Sequence, residues 1–301
     1  MVEVTNRTIH GRLLLRPSPS FNEIFLGVLG RTQADHQLDL HAFAVLSNHY
    51  HLLCSPRDPK QLSDFMRSFN SKLAREVGRL HDWHDKVWGR RYQPIPVTDE
   101  PGAQIGRLIY VLSHGCKEGL VASPRDWPGP SCIPALLDGK PLRGVWFNRT
   151  LEYKARARGL DFGFRDFATA ETVGLSPLPC WRHLSAAEYR ARIAVIVSEI
   201  EEESRRRERE TGLAPVGRAW VLRQNPHEMP LRSKRSPAPA VHAASREGRM
   251  ALIGSYREFL AAYRRASEKL NGGDHDAEFP PRSFPPRLPY VPDEKDAGVP
   301  R

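Results

Sequence analysis

Two histidines one residue apart, His49 and His51, stand in the run Leu46-Ser47-Asn48-His49-Tyr50-His51-Leu52-Leu53. Successive side chains of a strand alternate faces, so both imidazoles project to one side and Tyr50 to the other. Two imidazoles on one face can share a divalent cation, although in a chain with 12 histidines the pair alone fits a half-buried strand equally well. A third ligand decides the matter, and Leu108-Ile109-Tyr110-Val111-Leu112-Ser113-His114 supplies it. Positions four apart on a helix share a face, so Tyr110 and His114 offer a hydroxyl and an imidazole to the same space. Laid across the strand, that helix would complete a metal site of His49, His51 and His114 with Tyr110 beside it. A cation there would favour the phenolate of Tyr110, which makes that tyrosine the candidate catalytic nucleophile. Imidazole ligands lean towards Mn²⁺ over Mg²⁺.

The elements that must position these groups follow from local pattern. Arg7 to Pro17 holds a short apolar run ended by proline and reads as a first strand. Ser18-Pro19-Ser20 then opens a helix through Phe21 to Leu29. Leu38 to Leu46 and His49 to Cys54 are strands joined by the turn-like Ser47-Asn48, and should pair as a hairpin. Leu62, Phe65, Phe69, Leu73 and Val77 recur at helical spacing. Val87 to Val97 is a fourth strand that Pro94 and Pro96 confine to an edge, and Asp99-Glu100-Pro101 starts the tyrosine helix. The order βαββαβα predicts an α+β, ferredoxin-like domain over residues 1–132, an antiparallel four-stranded sheet with helices on one face.

The formal net charge is +10 and the isoelectric point near 9.7, which makes a polyanion the leading partner. Trp88-Gly89-Arg90-Arg91-Tyr92 interleaves aromatic and basic residues, a combination that grips phosphates and stacks unpaired bases, so Trp88, Arg90, Arg91 and Tyr92 are the DNA-binding candidates. Cys54, Cys116, Cys132 and Cys180 form no Cys-x-x-Cys pair, which argues against a zinc ribbon or a disulfide framework. With no long apolar run and no signal-peptide pattern at Met1 to Arg7, a soluble cytoplasmic protein without membrane contact is expected, as monomer or homodimer. His81-Asp82-Trp83-His84-Asp85 imitates a ligand cluster but falls between a helix and a strand and reads as a solvated loop.

Three ordered motifs, Leu46 to Leu53, Trp88 to Tyr92, and Tyr110 through Gly119-Leu120-Val121, resemble those of the single-tyrosine HUH transposases, and among them the REP-associated tyrosine transposases, from about Arg7 to Ser131. The resemblance implies a metal-dependent endonuclease and strand transferase acting on single-stranded, hairpin or repeat DNA. In that family the tyrosine forms a 5′-phosphotyrosine link and the histidines hold Mg²⁺ or Mn²⁺. Tyr50 departs from the bulky aliphatic residue usual there, and His114-Gly115 from a common Asn-Pro. A domesticated hairpin-binding regulator without cleavage is the alternative; it would need neither Tyr110 nor the histidines. A barrel-type metal hydrolase would need repeated βα units that the second half lacks.

Residues 133–301 read as a mainly helical, proline-rich accessory region of unassigned fold. Asp126 to Ser131 looks like a linker, Ala186 to Glu210 a long charged helix, Arg232 to Pro237 a basic exposed segment, and Leu252 to Tyr263 a further helix. The tail from Phe279 to Arg301 should be extended.

Overall fold

The structure, a computed structural model, describes residues 1–230 and 239–286. The basic segment Arg232 to Pro237 and the tail beyond residue 286 lie outside the described residues. Elements run β1 (Val2–Arg7), α1 (Pro19–His36), β2 (Asp39–Leu46), β3 (His49–Ser55), α2 (Pro59–His81), β4 (Gln93–Pro96), α3 (Pro101–Leu112) and α4 (His114–Lys117). They continue with α5 (Ile133–Asp138), β5 (Leu142–Phe147), α6 (Arg149–Ala157), β6 (Ala168–Val173), α7 (Ala186–Thr211), α8 (Arg218–Arg223) and α9 (Arg246–Asn271). The described residues group into two units, Met1–Arg249 and Met250–Arg301. In the second, Tyr263 packs on Phe279 with ring centroids 5.1 Å apart and donates its hydroxyl to the Phe284 carbonyl.

β1 to β4 form one antiparallel sheet in the order β2-β3-β1-β4, the arrangement the element order predicts. The first strand, however, is Val2–Arg7 and not Arg7 to Pro17. His10 (φ 53°) and Gly11 (φ 69°) take left-handed backbone, which cannot continue an extended strand, and Leu14 and Leu15 reach the core from irregular chain. β4 is a proline-bearing edge strand, as Pro94 and Pro96 require, because neither has an N–H for a second neighbour.

Alternation along the strands decides what each face carries. Tyr50, opposite Asn6 and Val45, points to the face covered by α1 and α2, as does Phe43 opposite Leu52. There Phe25 meets Phe43 at 5.9 Å and Phe69 at 5.6 Å, while Tyr50 is fully buried and donates its hydroxyl to Asn70 Oδ1 at 2.7 Å. Both helices begin on a side-chain cap, expected from the sequence for the first of them. Ser18 accepts from Phe21 N and Asp58 from Gln61 N, each cap followed by a proline at the first helical position. α3 covers the opposite face, so the expectation of helices on one face holds for α1 and α2 and fails for α3. The reason is polarity: α3 must lie over the histidines, which the pleat turns away from Tyr50.

Residues beyond 132 build onto this layer. β5 and β6 pair antiparallel and lie against α1, where Gly27 and Gly144 meet backbone to backbone; a Cβ on either would overlap the other's chain. Ile193, Ile196, Val197 and Ile200 of α7 are buried, and its first turn carries a reciprocal cap between Ser185 and Glu188. Asp126 to Ser131 is not a linker: Pro128, Gly129 and Pro130 are buried, and Ser131 bridges Ala44 on β2. Among the described residues no helix is long and apolar enough to cross a membrane.

Candidate metal centre and tyrosine site

His49 and His51 leave β3 on the face opposite Tyr50, and the helical segment from Pro101 brings Tyr110 and His114 over them. α3 stops at Leu112; Ser113 breaks it and His114 opens α4, yet the spacing of four survives the break, with the Tyr110 and His114 rings 5.3 Å apart. Ring centroids of His49 and His114 lie 4.9 Å apart, those of His51 and His114 4.5 Å, and those of His51 and Tyr110 5.7 Å. One nitrogen from each of His49, His51 and His114 falls within 4.8 Å of the others. The three histidines and Tyr110 named from sequence thus share one site.

Neighbours fix which nitrogen each ring offers. His51 Nδ1 lies 2.8 Å from Glu3 Oε1, so Nδ1 is the nitrogen that donates to the carboxylate and Nε2 the one turned to the cluster. His49 Nδ1 lies 2.6 Å from Asn48 Oδ1, which likewise leaves Nε2 as the free acceptor. His49 Nε2 then meets His114 Nε2 at 2.8 Å. Burial holds His49 well below the usual histidine range, helped by the neighbouring His51 and His114, and burial with His51 holds His114 down at about 3. Neutral imidazoles are the form that binds cations.

His51 Nε2 and His114 Nδ1 are buried without a hydrogen-bond partner among the described residues. Unpartnered buried nitrogens are costly, and here they sit in a cluster of three imidazoles, so the donor set fits a divalent cation. Three protein ligands also leave coordination positions open for a substrate oxygen.

Tyr110 is half-buried. Burial, and then the charge of Glu3, push its phenol above the usual range, while Arg107 opposes them. Arg107 lies 4.2 Å and Lys117 4.5 Å from the ring centroid. These two cations escaped sequence reasoning, although their offsets of three and seven residues from Tyr110 match one helix face. Glu3 escaped it too. Burial would raise its pKa, but hydrogen bonds from His242 and His51 and the charges of His51 and Arg107 outweigh that and hold it below the usual carboxylate range. Only a buried acid in a six-residue strand marked it.

Of the DNA-binding candidates, Arg90 and Arg91 are exposed, and Arg91 lies 5.4 Å from the Tyr92 ring centroid. Trp88 is tied down: its indole N–H donates to the Asn70 carbonyl at 3.0 Å and its ring meets Tyr50 edge-on. It supports the loop from beneath, with less of its face free than the sequence reading assumed. The His81 to Asp85 loop is largely exposed, as expected of a solvated turn.

A family model described as transposase, IS200-like, matches residues 18–110, a span that includes His49, His51 and Tyr110 and stops short of His114. No curated protein matches the chain. Among solved structures, a protein from Deinococcus radiodurans R1 described as a transposase is 20% identical, covering 36% of this chain and 86% of its own, with a TM-score of 0.28. A REP-associated tyrosine transposase bound to a REP hairpin is 17% identical, covering 58% of this chain and 92% of its own, with a TM-score of 0.37. Residues 18–110 are thus similar to the IS200-like transposase family, and the segment carries His49, His51 and Tyr110.

Proposed function

We propose that the protein is a metal-dependent endonuclease and strand transferase for single-stranded or hairpin DNA, working through a 5′-phosphotyrosine intermediate, with its chemistry in residues 1–132. The observation that carries this reading is the packing of Tyr110 against two of three converging histidines. His49, His51 and His114 would hold Mg²⁺ or Mn²⁺, which supplies charge neutralisation at the scissile phosphate. Tyr110 Oη forms the bond to phosphorus while the bond from phosphorus to O3′ breaks. The phenolic proton passes to solvent, and O3′ takes one up and leaves as a free 3′-hydroxyl. The exchange of one ester for another conserves bond energy, so rejoining needs no nucleotide cofactor. Arg107 and Lys117, both close to the ring, would favour the phenolate and hold the phosphate oxygens. Arg90, Arg91 and Tyr92 would grip the flanking strand, with Trp88 bracing their loop.

The test is incubation of the full chain with end-labelled single-stranded and hairpin oligonucleotides from the repeats beside its gene, with and without Mn²⁺. A denaturation-resistant adduct on the 5′ end of the downstream fragment is expected, with a free 3′-hydroxyl upstream. Tyr110→Phe removes only the hydroxyl, so it should bind DNA and neither cut nor couple. Cleavage by Tyr110→Phe at the parental rate would overturn the tyrosine assignment. Hairpin binding without any cleavage would favour the regulator alternative.

A further inference from the structure

His242 lies far along the chain from the histidine cluster and in no motif, yet it enters the polar network behind the site. Its neighbours run parallel to the end of β4: His242 N donates to the Pro96 carbonyl at 2.9 Å, and Thr98 N donates to the His242 carbonyl at 2.9 Å. Ala244 N donates to Glu100 Oε2 at 3.0 Å, and Val241 beside it is buried. This short strap fixes the backbone, and the side chain then points inward. His242 Nε2 stands 2.7 Å from Glu3 Oε2 and 3.2 Å from Arg107 Nη1. Arg107 Nη1 donates to the same Oε2 at 3.2 Å, while Glu3 Oε1 accepts from His51 Nδ1 at 2.8 Å.

One carboxylate therefore ties three elements together. Oε2 is held by His242 and Arg107, which leaves Oε1 aimed at His51 and fixes the ring with Nε2 towards His49 and His114. A carboxylate that orients a ligand histidine commonly changes metal affinity by about 10–100-fold when it is lost. An unanchored one can rotate about its side-chain bonds, and holding it still is the part left to its outer partners.

We propose that His242 is a positioning residue for the metal centre, acting through Glu3 on His51, so that the strap at 241–244 sets the affinity of the three-histidine site. This rests on the metal reading above. It also assigns a residue of the C-terminal half to the site, which would make residues 1–132 alone a weaker metal binder than the full chain.

The experiment measures Mn²⁺ affinity of the full chain from the electron paramagnetic resonance signal of free Mn²⁺ during titration, without DNA. His242→Ala should weaken binding about tenfold or more. His242→Gln, whose amide can still donate to Glu3 Oε2, should recover most of that loss, whereas His242→Phe, which fills the space without donating, should not. A purely structural role predicts the reverse order for Gln and Phe. Unfolding midpoints of the three variants separate loss of fold from loss of affinity. Parental affinity in His242→Ala, or recovery by Phe and not Gln, would overturn the positioning role and leave the metal centre standing. Absence of Mn²⁺ binding by the parent would overturn both.

Discussion

In the metal-free protein, His114→Asn should flatten the dependence of stability on pH. Folding lowers the His114 pKa from 6.5 to about 3, so between these values the unfolded chain binds one proton more than the folded one. Stability then rises with pH across that window, by about 1.4 kcal/mol per pH unit, and is lost as pH falls below 6.5. From pH 7 to pH 5 the His114 share is about 2 kcal/mol. His49 shifts in the same direction and its Nε2 meets His114 Nε2 at 2.8 Å, so the two titrate as a pair and the loss at low pH belongs to both. Even the His114 share is a sizeable part of the roughly 5–15 kcal/mol that holds an ordinary domain together. The assay is urea unfolding in chelator at pH 7, 6 and 5. Over this range the parent should lose about 2 kcal/mol more than His114→Asn does. Groups elsewhere contribute equally to both chains, so the difference isolates the cluster. An unchanged slope in His114→Asn would refute the account of neutral buried imidazoles.

Three further outcomes are expected. His49→Ala with His51→Ala should abolish both Mn²⁺ binding and DNA cleavage while circular dichroism stays parental, because two of three ligands are gone and the sheet is not. Arg90→Ala with Arg91→Ala should weaken single-strand binding and reduce the slope of log affinity against log salt by about 1.4, two phosphates at roughly 0.7 each; an unchanged slope would remove them from the contact surface. Gly144→Val should destabilise the fold by about 3 kcal/mol, read as a lower urea midpoint, because its side chain has nowhere to go but into α1. A midpoint within error of the parent would show that this crossing can open without cost.

What could be read from sequence was whatever repeats locally. The alternation around Tyr50 separated the histidines from the core, and the spacing from Tyr110 to His114 brought the third ligand in despite the break at Ser113. β1 was missed because its six residues hold a buried acid where a core residue is expected, so period-two alternation points the wrong way. Glu3, Arg107 and His242 meet only through the folded sheet, and no spacing rule connects residues so far apart in sequence. The docking of β5 on α1 was equally hidden, since glycines at 27 and 144 announce flexibility in sequence and only in the fold show a close approach.

The strap over Pro96 has a counterpart on the other side of the sheet. At β2, Leu40 O accepts from Ser176 N, and Phe43 N and O are engaged by the Cys132 thiol. Both outer strands thus spend some of their outward hydrogen-bonding groups on the chain's own loops, and β4 carries two prolines besides. A free strand edge is the usual template on which sheets extend from one molecule to the next. Covering these groups from within the chain leaves fewer of them open to a neighbouring molecule at β2 and at the end of β4.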